Sequence, residues 1–161
     1  MYQINDYLIY KRQVCVVKEI KEHYYQDHNY YVLAPVDNQS LTISVPVDNE
    51  EIRDLISKEE VNDIINQIAD IEVFTSNDRL IENEYKSLLN EGSHVSLIKI
   101  IKTTYARNKE RIDNNKKISG RDENYFKMAE AYLYNEFAVV LGMPVDDVKQ
   151  YVIDQVGKHL G

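Results

Sequence analysis

The 161-residue chain has little cysteine, proline or glycine and no tryptophan. Its single thiol, Cys15, cannot form an internal disulfide, and with four scattered histidines it does not make a cysteine-rich zinc site. No charge-free run approaches the roughly 20 apolar residues that a membrane span needs. No basic leader precedes an apolar stretch at the start, so a signal peptide is not expected. We therefore expect a cytoplasmic protein without a membrane segment, structural metal or cofactor.

The sequence also lacks the motifs of common enzyme classes. Its five glycines form neither a G-x-G-x-x-G nor a G-x-x-x-x-G-K-S phosphate loop, and no H-E-x-x-H, C-x-x-C or G-x-S-x-G motif occurs. Acidic pairs such as Glu50-Glu51 are more typical of a solvated surface than of acid–base catalysis. Cys15 lies in an apolar stretch, which favours a core position over a nucleophile. We interpret the protein as a non-enzyme, with no catalytic residue and no small-molecule ligand predicted.

Charge is distributed unevenly along the chain. Overall, 19 basic and 27 acidic residues give a formal net charge of −8. Residues 99–121 carry a net charge of +6, with the acidic residues Glu110 and Asp113 and the basic residues Lys99, Lys102, Arg107, Lys109, Arg111, Lys116, Lys117 and Arg121. A surface that faces an anion would produce this asymmetry, and so would a solvated helix end followed by a basic loop.

The first fifty residues have the pattern of short β-strands. Residues 7–10, 14–17 and 30–33 are β-branched or aromatic runs of strand length. Residues 41–45 alternate apolar and polar side chains, which predicts a half-buried strand with Leu41, Ile43 and Val45 inward and Thr42 and Ser44 outward. Four or five short strands separated by turn residues predict a small antiparallel β-barrel.

From Ser57 onward the apolar spacing becomes that of helices. Ser57 and Glu60 have the capping-box pattern, and apolar residues follow at helical intervals. Four further helices are predicted from their start and stop residues: one over residues 78–90 before Gly92, one capped by Ser93, one over residues 122–141 before Gly142, and one between Pro144 and Gly157.

These patterns predict an α+β fold in which a small antiparallel β-barrel precedes an all-α helical bundle. Two domains are expected. Residues 1–72 form the barrel domain with a trailing helix, and residues 73–161 form the helical domain.

The 13 tyrosines include two adjacent pairs, Tyr24-Tyr25 and Tyr30-Tyr31, on either side of a predicted turn. We expect the pairs to face each other across a hairpin, each with one ring inward and one outward. Outward tyrosines on a sheet are common anchors for protein partners. Cross-strand packing alone also accounts for them.

The order of several sequence blocks resembles a known family. The N-terminal half contains DYLIYKRQVCVVKEI, NYYVLAPVDNQSLTISVPVDN and LISKEEVNDII in succession. The C-terminal half contains YKSLLNEGSHVSLIKIIKTTYARNKERIDNNKKISGRDENYFKMAEAYLYNEFAVVLG. Together they resemble the CarD-like (CdnL) family of bacterial transcription factors, whose N-terminal module is shared with the transcription-repair coupling factor. The resemblance covers residues 2–156.

The resemblance implies a protein that bridges RNA polymerase and promoter DNA. Its barrel would be Tudor-like (SH3-like) and bind the polymerase β subunit, while the helical domain would hold DNA at the upstream edge of the transcription bubble and stabilise the open complex. By position, the polymerase-facing residues are His23, Tyr24, Tyr25, Thr42 and Ser44.

The same resemblance implies a DNA-binding surface that is largely independent of sequence. Because the protein is acidic and has one modest basic segment, its binding to free DNA is expected to be weak and salt-sensitive. Phosphate contacts would come from Arg79, Lys86, Lys99, Lys102, Arg107, Lys109, Arg111, Lys116 and Lys117. Some family members place a tryptophan wedge before the first helix of this domain. Gap-free counting puts Asp78 at that position here, so the nearest aromatic residue, Phe74, is the candidate wedge, with a core role as the alternative.

A second hypothesis is an adaptor that docks on polymerase and uses its helical domain to bind a protein rather than DNA. The missing tryptophan and the net charge of −8 favour it. An enzyme with an unrecognised site is the third hypothesis.

Overall fold

The computed structural model describes residues 1–73 and 77–160, with side chains to residue 154. The predicted α+β class is confirmed, because antiparallel strands are followed by helices. The chain divides into two compact units, Met1–Ile56 and Ser57–Gly161. Phe74, the candidate wedge, lies outside the described residues.

The first unit is a five-stranded antiparallel sheet. Its strands are β1 (Tyr7–Tyr10), β2 (Gln13–Tyr25), β3 (His28–Pro35), β4 (Ile43–Pro46) and β5 (Ile52–Arg53). Their order in the sheet is β4-β3-β2-β1-β5. One face buries a core of Leu8, Cys15, Val17, Tyr31, Leu33 and Val45. The edge strands β4 and β5 are not paired with each other, so the sheet described here is open and the predicted closed barrel is not confirmed.

The hairpin between β2 and β3 is present, and the Tyr24 and Tyr30 rings contact each other across it with centroids 5.4 Å apart, but the predicted inward and outward placement within each pair is not found for Tyr24 and Tyr25. Tyr24 and Tyr25 are both exposed, at 53% and 59%, whereas Tyr31 is buried opposite Ile20. The strand pairing is irregular between Lys21 and Tyr25. A bulge shifts the two-residue alternation of side chains, and sequence alternation alone does not reveal it.

The alternating segment before Pro46 is also less buried than predicted. Val45 is buried, but Leu41 is 55% exposed and Ile43 is 37% exposed. The cause is that β4 begins only at Ile43 and lies at the sheet edge, where β3 is its one partner. Thr42 and Ser44 are exposed as expected.

In the second unit, the described residues 57–73 and 77–160 form five α-helices. They are α1 (Lys58–Gln67), α2 (Ile81–Glu91), α3 (His94–Asp113), α4 (Gly120–Leu141) and α5 (Val145–Leu160), with a short 3-10 turn at Ile68–Asp70.

Most predicted helix ends are confirmed. Ser57 and Glu60 form both bonds of the capping box, and the Ser93 side chain caps α3 by accepting from the Ser96 amide. Gly92 and Gly142 end α2 and α4 in the left-handed conformation at φ of 67°, which costs glycine no steric penalty. The predicted end at Gly157 is wrong, because α5 continues to Leu160.

The boundary between the units lies earlier than the predicted residue 72. The first helix belongs with the other helices, since the Tyr151 hydroxyl on α5 donates to Asn62 Oδ1 on α1 at 2.8 Å. Lys102 on α3 holds the segment after α1 by donating to the carbonyl oxygens of Ile68, at 2.8 Å, and Ile71. The strand unit therefore ends at Ile56.

Thr103→Val is expected to raise the free energy of unfolding of the helical unit by about 1 kcal/mol. The Thr103 hydroxyl is buried on α3 and has no hydrogen-bond partner among the described residues, so removing it ends a desolvation cost without changing shape. Thr104→Val is the matched control, because the Thr104 hydroxyl donates to the Ile100 carbonyl at 2.7 Å. Denaturant unfolding of the full chain, followed by far-UV circular dichroism, should separate the pair. Equal changes in stability would contradict the prediction.

Candidate nucleic-acid interface

Three arginines of the helical unit converge on the turn that precedes α2. Arg107 and Arg111 lie one helical turn apart on α3, and Arg121 lies in the first turn of α4. We call these three residues the arginine cluster. Side chains four residues apart on a helix point in nearly the same direction, so α3 presents two guanidinium groups to one place.

Asp78 is the acidic residue at the centre of the arginine cluster. Its carboxylate is hydrogen-bonded to Arg107 Nη2 and lies 3.6 Å from Arg111 Nη2 and 3.9 Å from Arg121 Nη2. Arg121 Nη1 also donates to the Asp78 carbonyl at 3.2 Å. The hydrogen bond from Arg107, followed by the charge of that guanidinium, lowers the pKa of Asp78. Its side chain is 68% exposed, so solvation and the arginines both favour the ionised carboxylate.

Asp122 anchors the cluster from beneath. It is fully buried at the start of α4, where its Oδ2 accepts from Arg107 Nε at 2.9 Å and its Oδ1 accepts from the Tyr85 hydroxyl at 3.0 Å. Burial, with the neighbouring Asp122 charge second, raises the pKa of Tyr85 well above its usual value, so this phenol remains a donor. Through Asp122, side chains of α2, α3 and α4 meet at one point.

The cluster borders a cleft of about 210 Å³. Its walls are formed by Asp78, Arg107, Glu110, Arg111, Asn114 and Lys116. Lys116 follows the end of α3, where its amide donates to the Arg111 carbonyl at 2.7 Å. This bond fixes the chain direction after the helix, and Lys116 and the exposed Lys117 lie in the segment between α3 and α4.

The remaining predicted phosphate-binding residues do not join this surface. The Lys102 amine donates to a backbone carbonyl of the segment after α1 and is not part of this surface. Lys109 is exposed on another side of α3. At about 100° per residue, Lys109 is rotated by roughly 200° from Arg107 around the helix axis. The basic segment therefore divides between two faces of α3 instead of forming one.

Three predicted residues lie elsewhere on the helical unit. Arg79 is exposed next to Asp78, and Lys86 is exposed on α2 with its amine 3.9 Å from Glu82. Lys99 is half-buried on α3.

The sequence interpretation missed the three residues that organise the cluster: Asp78, Tyr85 and Asp122. Asp122 carried a detectable signal, because Ser119 three residues earlier caps α4 by accepting from the Asp122 amide. The pairing of Asp78 and Asp122 with arginines on another helix had no local signal.

In the strand unit, the predicted protein-binding residues occupy two places. Tyr24 and Tyr25 lie at the exposed end of the hairpin, where the Lys21 amine lies 4.4 Å from the centre of the Tyr24 ring. His23 Nδ1 lies 2.6 Å from Asp27 Oδ1.

Thr42 and Ser44 lie toward the other end of the sheet. Ser44 pairs with Val32 and Tyr25 pairs with His28. These two β3 positions are roughly 13 Å apart along the strand. The hairpin tip and the β4 edge are therefore separate parts of the same unit.

Comparisons with known proteins do not identify a family. No protein-family model matches the chain, and no curated protein is significantly similar to it. Among the described residues, no helix is both long and apolar enough to cross a bilayer. Within the same ranges, no group of three or more histidine, cysteine, aspartate or glutamate side chains is arranged to hold a metal ion.

Proposed function

We propose that the protein is a cytoplasmic, non-enzymatic regulator of transcription initiation. In this proposal the strand unit binds the RNA polymerase β subunit, and the helical unit binds promoter DNA at the upstream edge of the bubble. Holding both partners would stabilise the open complex. The proposal rests on the resemblance to CarD-like factors and on the surfaces of the two units.

The observation that carries the DNA part is the arginine cluster with Lys116 beside it. An acidic protein repels DNA over most of its surface, so a concentrated cationic site is needed for any phosphate contact. Three guanidinium groups within 4 Å of one carboxylate provide such a site. Contacts of this kind position DNA without reading its sequence. Binding to polymerase would raise the effective DNA concentration and make weak contacts sufficient.

The hairpin supports the polymerase part. Exposed tyrosines combine a large contact area with few rotatable bonds, which is why they are enriched at binding hot spots. Tyr24 and Tyr25 lie side by side at the hairpin end. The exposed edge of β4, which includes Ser44, adds unpaired backbone groups that a partner strand can use.

We further propose that the strand unit is a Tudor-like (SH3-like) β-barrel. The strands β1 to β4 form a meander, and β5 returns to pair with β1. This is the strand order of SH3-like barrels. The irregular pairing along the 13-residue β2 also supports it, because bulges bend strands in the way that small barrels require.

Binding of the full chain to cognate core RNA polymerase tests the polymerase part. Tyr24→Ser with Tyr25→Ser should weaken binding at least tenfold, because it removes two aromatic anchors. Tyr7→Ser is the control, since Tyr7 is an exposed tyrosine on β1 of the same unit. Surface plasmon resonance would measure the dissociation constants. Equal binding by the three proteins would overturn the hairpin assignment.

A specific feature favours the adaptor as the second candidate. An apolar groove of about 390 Å³ lies between α3 and α4, with Tyr105, Ile112 and Ile118 among its exposed lining residues. Apolar surface of this kind is typical of protein-binding sites. The adaptor would retain its effect on transcription when the cationic residues beside the cleft are reversed in charge.

A further inference from the structure

The Asp78 carboxylate is not needed to start α2. The turn that leads into α2 is held by Asn77, whose side-chain oxygen accepts from the Leu80 amide at 3.1 Å and whose carbonyl accepts from the Ile81 amide at 3.1 Å. The contacts of the Asp78 carboxylate are instead with the arginine cluster. The carboxylate can therefore leave the cluster without removing the hydrogen bonds of the turn before α2.

The cluster keeps its position when that carboxylate is absent. Arg107 stays bonded to the buried Asp122, and Arg121 stays bonded to the Asp78 carbonyl. Because these anchors are independent of the Asp78 side chain, the guanidinium groups of Arg107 and Arg121 remain preorganised, whereas Arg111 gives up its contact with the Asp78 carboxylate and becomes available to a ligand. Preorganised arginines lose less entropy when they bind a ligand.

The charges of the site favour an incoming anion once Asp78 withdraws. Arg107 and Arg121 then share the single carboxylate of Asp122, Arg111 loses its carboxylate partner, and at the cleft wall Lys116 offsets Glu110. A phosphodiester offers two anionic oxygens to the planar fork of a guanidinium group, as a carboxylate does. The chemistry that holds Asp78 is therefore the chemistry that would hold a DNA phosphate.

We propose that the cleft beside the arginine cluster is a phosphate-binding site for the nucleic-acid backbone, and that the Asp78 carboxylate occupies it as an intramolecular competitor. This inference rests on the proposed DNA-binding function and adds a regulation of it. DNA must displace Asp78, so free protein binds duplex weakly. The displacement becomes favourable where docking on polymerase raises the local DNA concentration.

Asp78→Asn tests the competitor directly. It removes the charge while keeping the size of a side chain at an exposed position, so folding is expected to be unaffected. Asp113→Asn is the matched control, because Asp113 is an exposed acid at the end of α3 and its replacement changes net charge equally. A short fluorescent duplex would be titrated with each full-length protein by anisotropy at several salt concentrations. In parallel, inorganic phosphate would be added while NMR follows the arginine Nε–H signals.

Asp78→Asn should bind the duplex about tenfold more tightly than wild type at low salt, with the slope of log K against log salt steeper by about 1 to 2. Asp113→Asn should change affinity less than threefold. Inorganic phosphate should shift the Arg107 and Arg121 signals more strongly in Asp78→Asn than in wild type.

Equal duplex affinities for the two variants, with no phosphate-induced shift, would overturn the inference and leave the proposed function standing. A phosphate-induced shift without duplex binding would support the phosphate site and overturn the DNA part of the proposed function. The absence of both signals would overturn both.

Discussion

Asp122→Ala is expected to lower the free energy of unfolding of the helical unit by about 3 kcal/mol. The reason is that Asp122 is fully buried and accepts hydrogen bonds from Arg107 and Tyr85. Removing one member of a buried ion pair leaves an uncompensated charge, a change that typically costs about 3–5 kcal/mol. In Asp122→Ala, Arg107 still has its ion pair with Asp78, so we expect a loss of stability at the lower end of this range.

The measurement is denaturant unfolding of the full chain by far-UV circular dichroism, with two comparison variants. Asp122→Asn keeps an acceptor for Tyr85 but loses the charge, so it should lie between wild type and Asp122→Ala. Glu123→Ala removes the next acidic residue, whose carboxylate is 3.8 Å from the Lys127 amine on the surface. Exposed pairs contribute less than about 1 kcal/mol. An Asp122→Ala loss no greater than that of Glu123→Ala would contradict Asp122 as the anchor.

Reversing the charge of Lys116 and Lys117 together should weaken duplex binding by about a hundredfold. Each Lys→Glu change removes an attraction for phosphate and adds a repulsion. At about tenfold per position, the pair amounts to about 2.8 kcal/mol. Both lysines are exposed in the segment after α3, so the fold should be unaffected. Fluorescence anisotropy with a short duplex would measure the affinity.

The control reverses the charge of two exposed lysines elsewhere on the helical unit, Lys58 on α1 and Lys127 on α4. This pair changes the net charge by the same amount and separates a local contact from long-range repulsion. It should reduce affinity less than tenfold. If both pairs reduce affinity equally, Lys116 and Lys117 make no specific contact. If the Lys116 and Lys117 reversal also leaves the effect on transcription unchanged, the adaptor becomes the better account.

Helix ends were the best-predicted part of the fold. They depend on local chemistry that a short stretch of sequence contains in full. Ser57 and Ser93 accept from backbone amides within the next turn, and Gly92 and Gly142 adopt a conformation that disfavours other residues. The start of α2 was placed too early, at residue 78, because residues 78–80 form a turn, in which the Leu80 amide donates to the Asn77 side chain, and the helix begins only at Ile81.

The strand unit shows the limit of local patterns. The β-branched and aromatic runs identified β2 and β3, but burial of individual tyrosines depends on the irregular pairing between Lys21 and Tyr25. Whether the sheet closes depends on pairing between β4 and β5, which are consecutive in the sequence but lie at opposite edges of the sheet, and side-chain patterns do not specify that pairing. The helix α1 was assigned to the wrong unit because its apolar face does not specify its partner.

The candidate site was predicted in part. The basic 99–121 segment includes Arg107, Arg111 and Lys116, which the structure brings to one cleft, but their role in binding DNA stays a prediction. Net charge does not distinguish arginines paired with Asp78 and Asp122 from free ones, and it does not reveal that Lys102 binds backbone carbonyls. These pairings join residues of different elements, 15 to 34 positions apart, so they follow from packing rather than from local spacing.

The central claim is that one chain stabilises the open complex by holding polymerase with its strand unit and DNA with its helical unit. The most direct test is the lifetime of the open complex on a promoter with cognate RNA polymerase, with the full-length wild type and two variants. These variants are the Tyr24→Ser/Tyr25→Ser and the Lys116→Glu/Lys117→Glu proteins. The account predicts that wild type lengthens the lifetime and that each variant loses this effect, although the lysine variant still binds polymerase. An unchanged lifetime with wild-type protein bound to polymerase would contradict it.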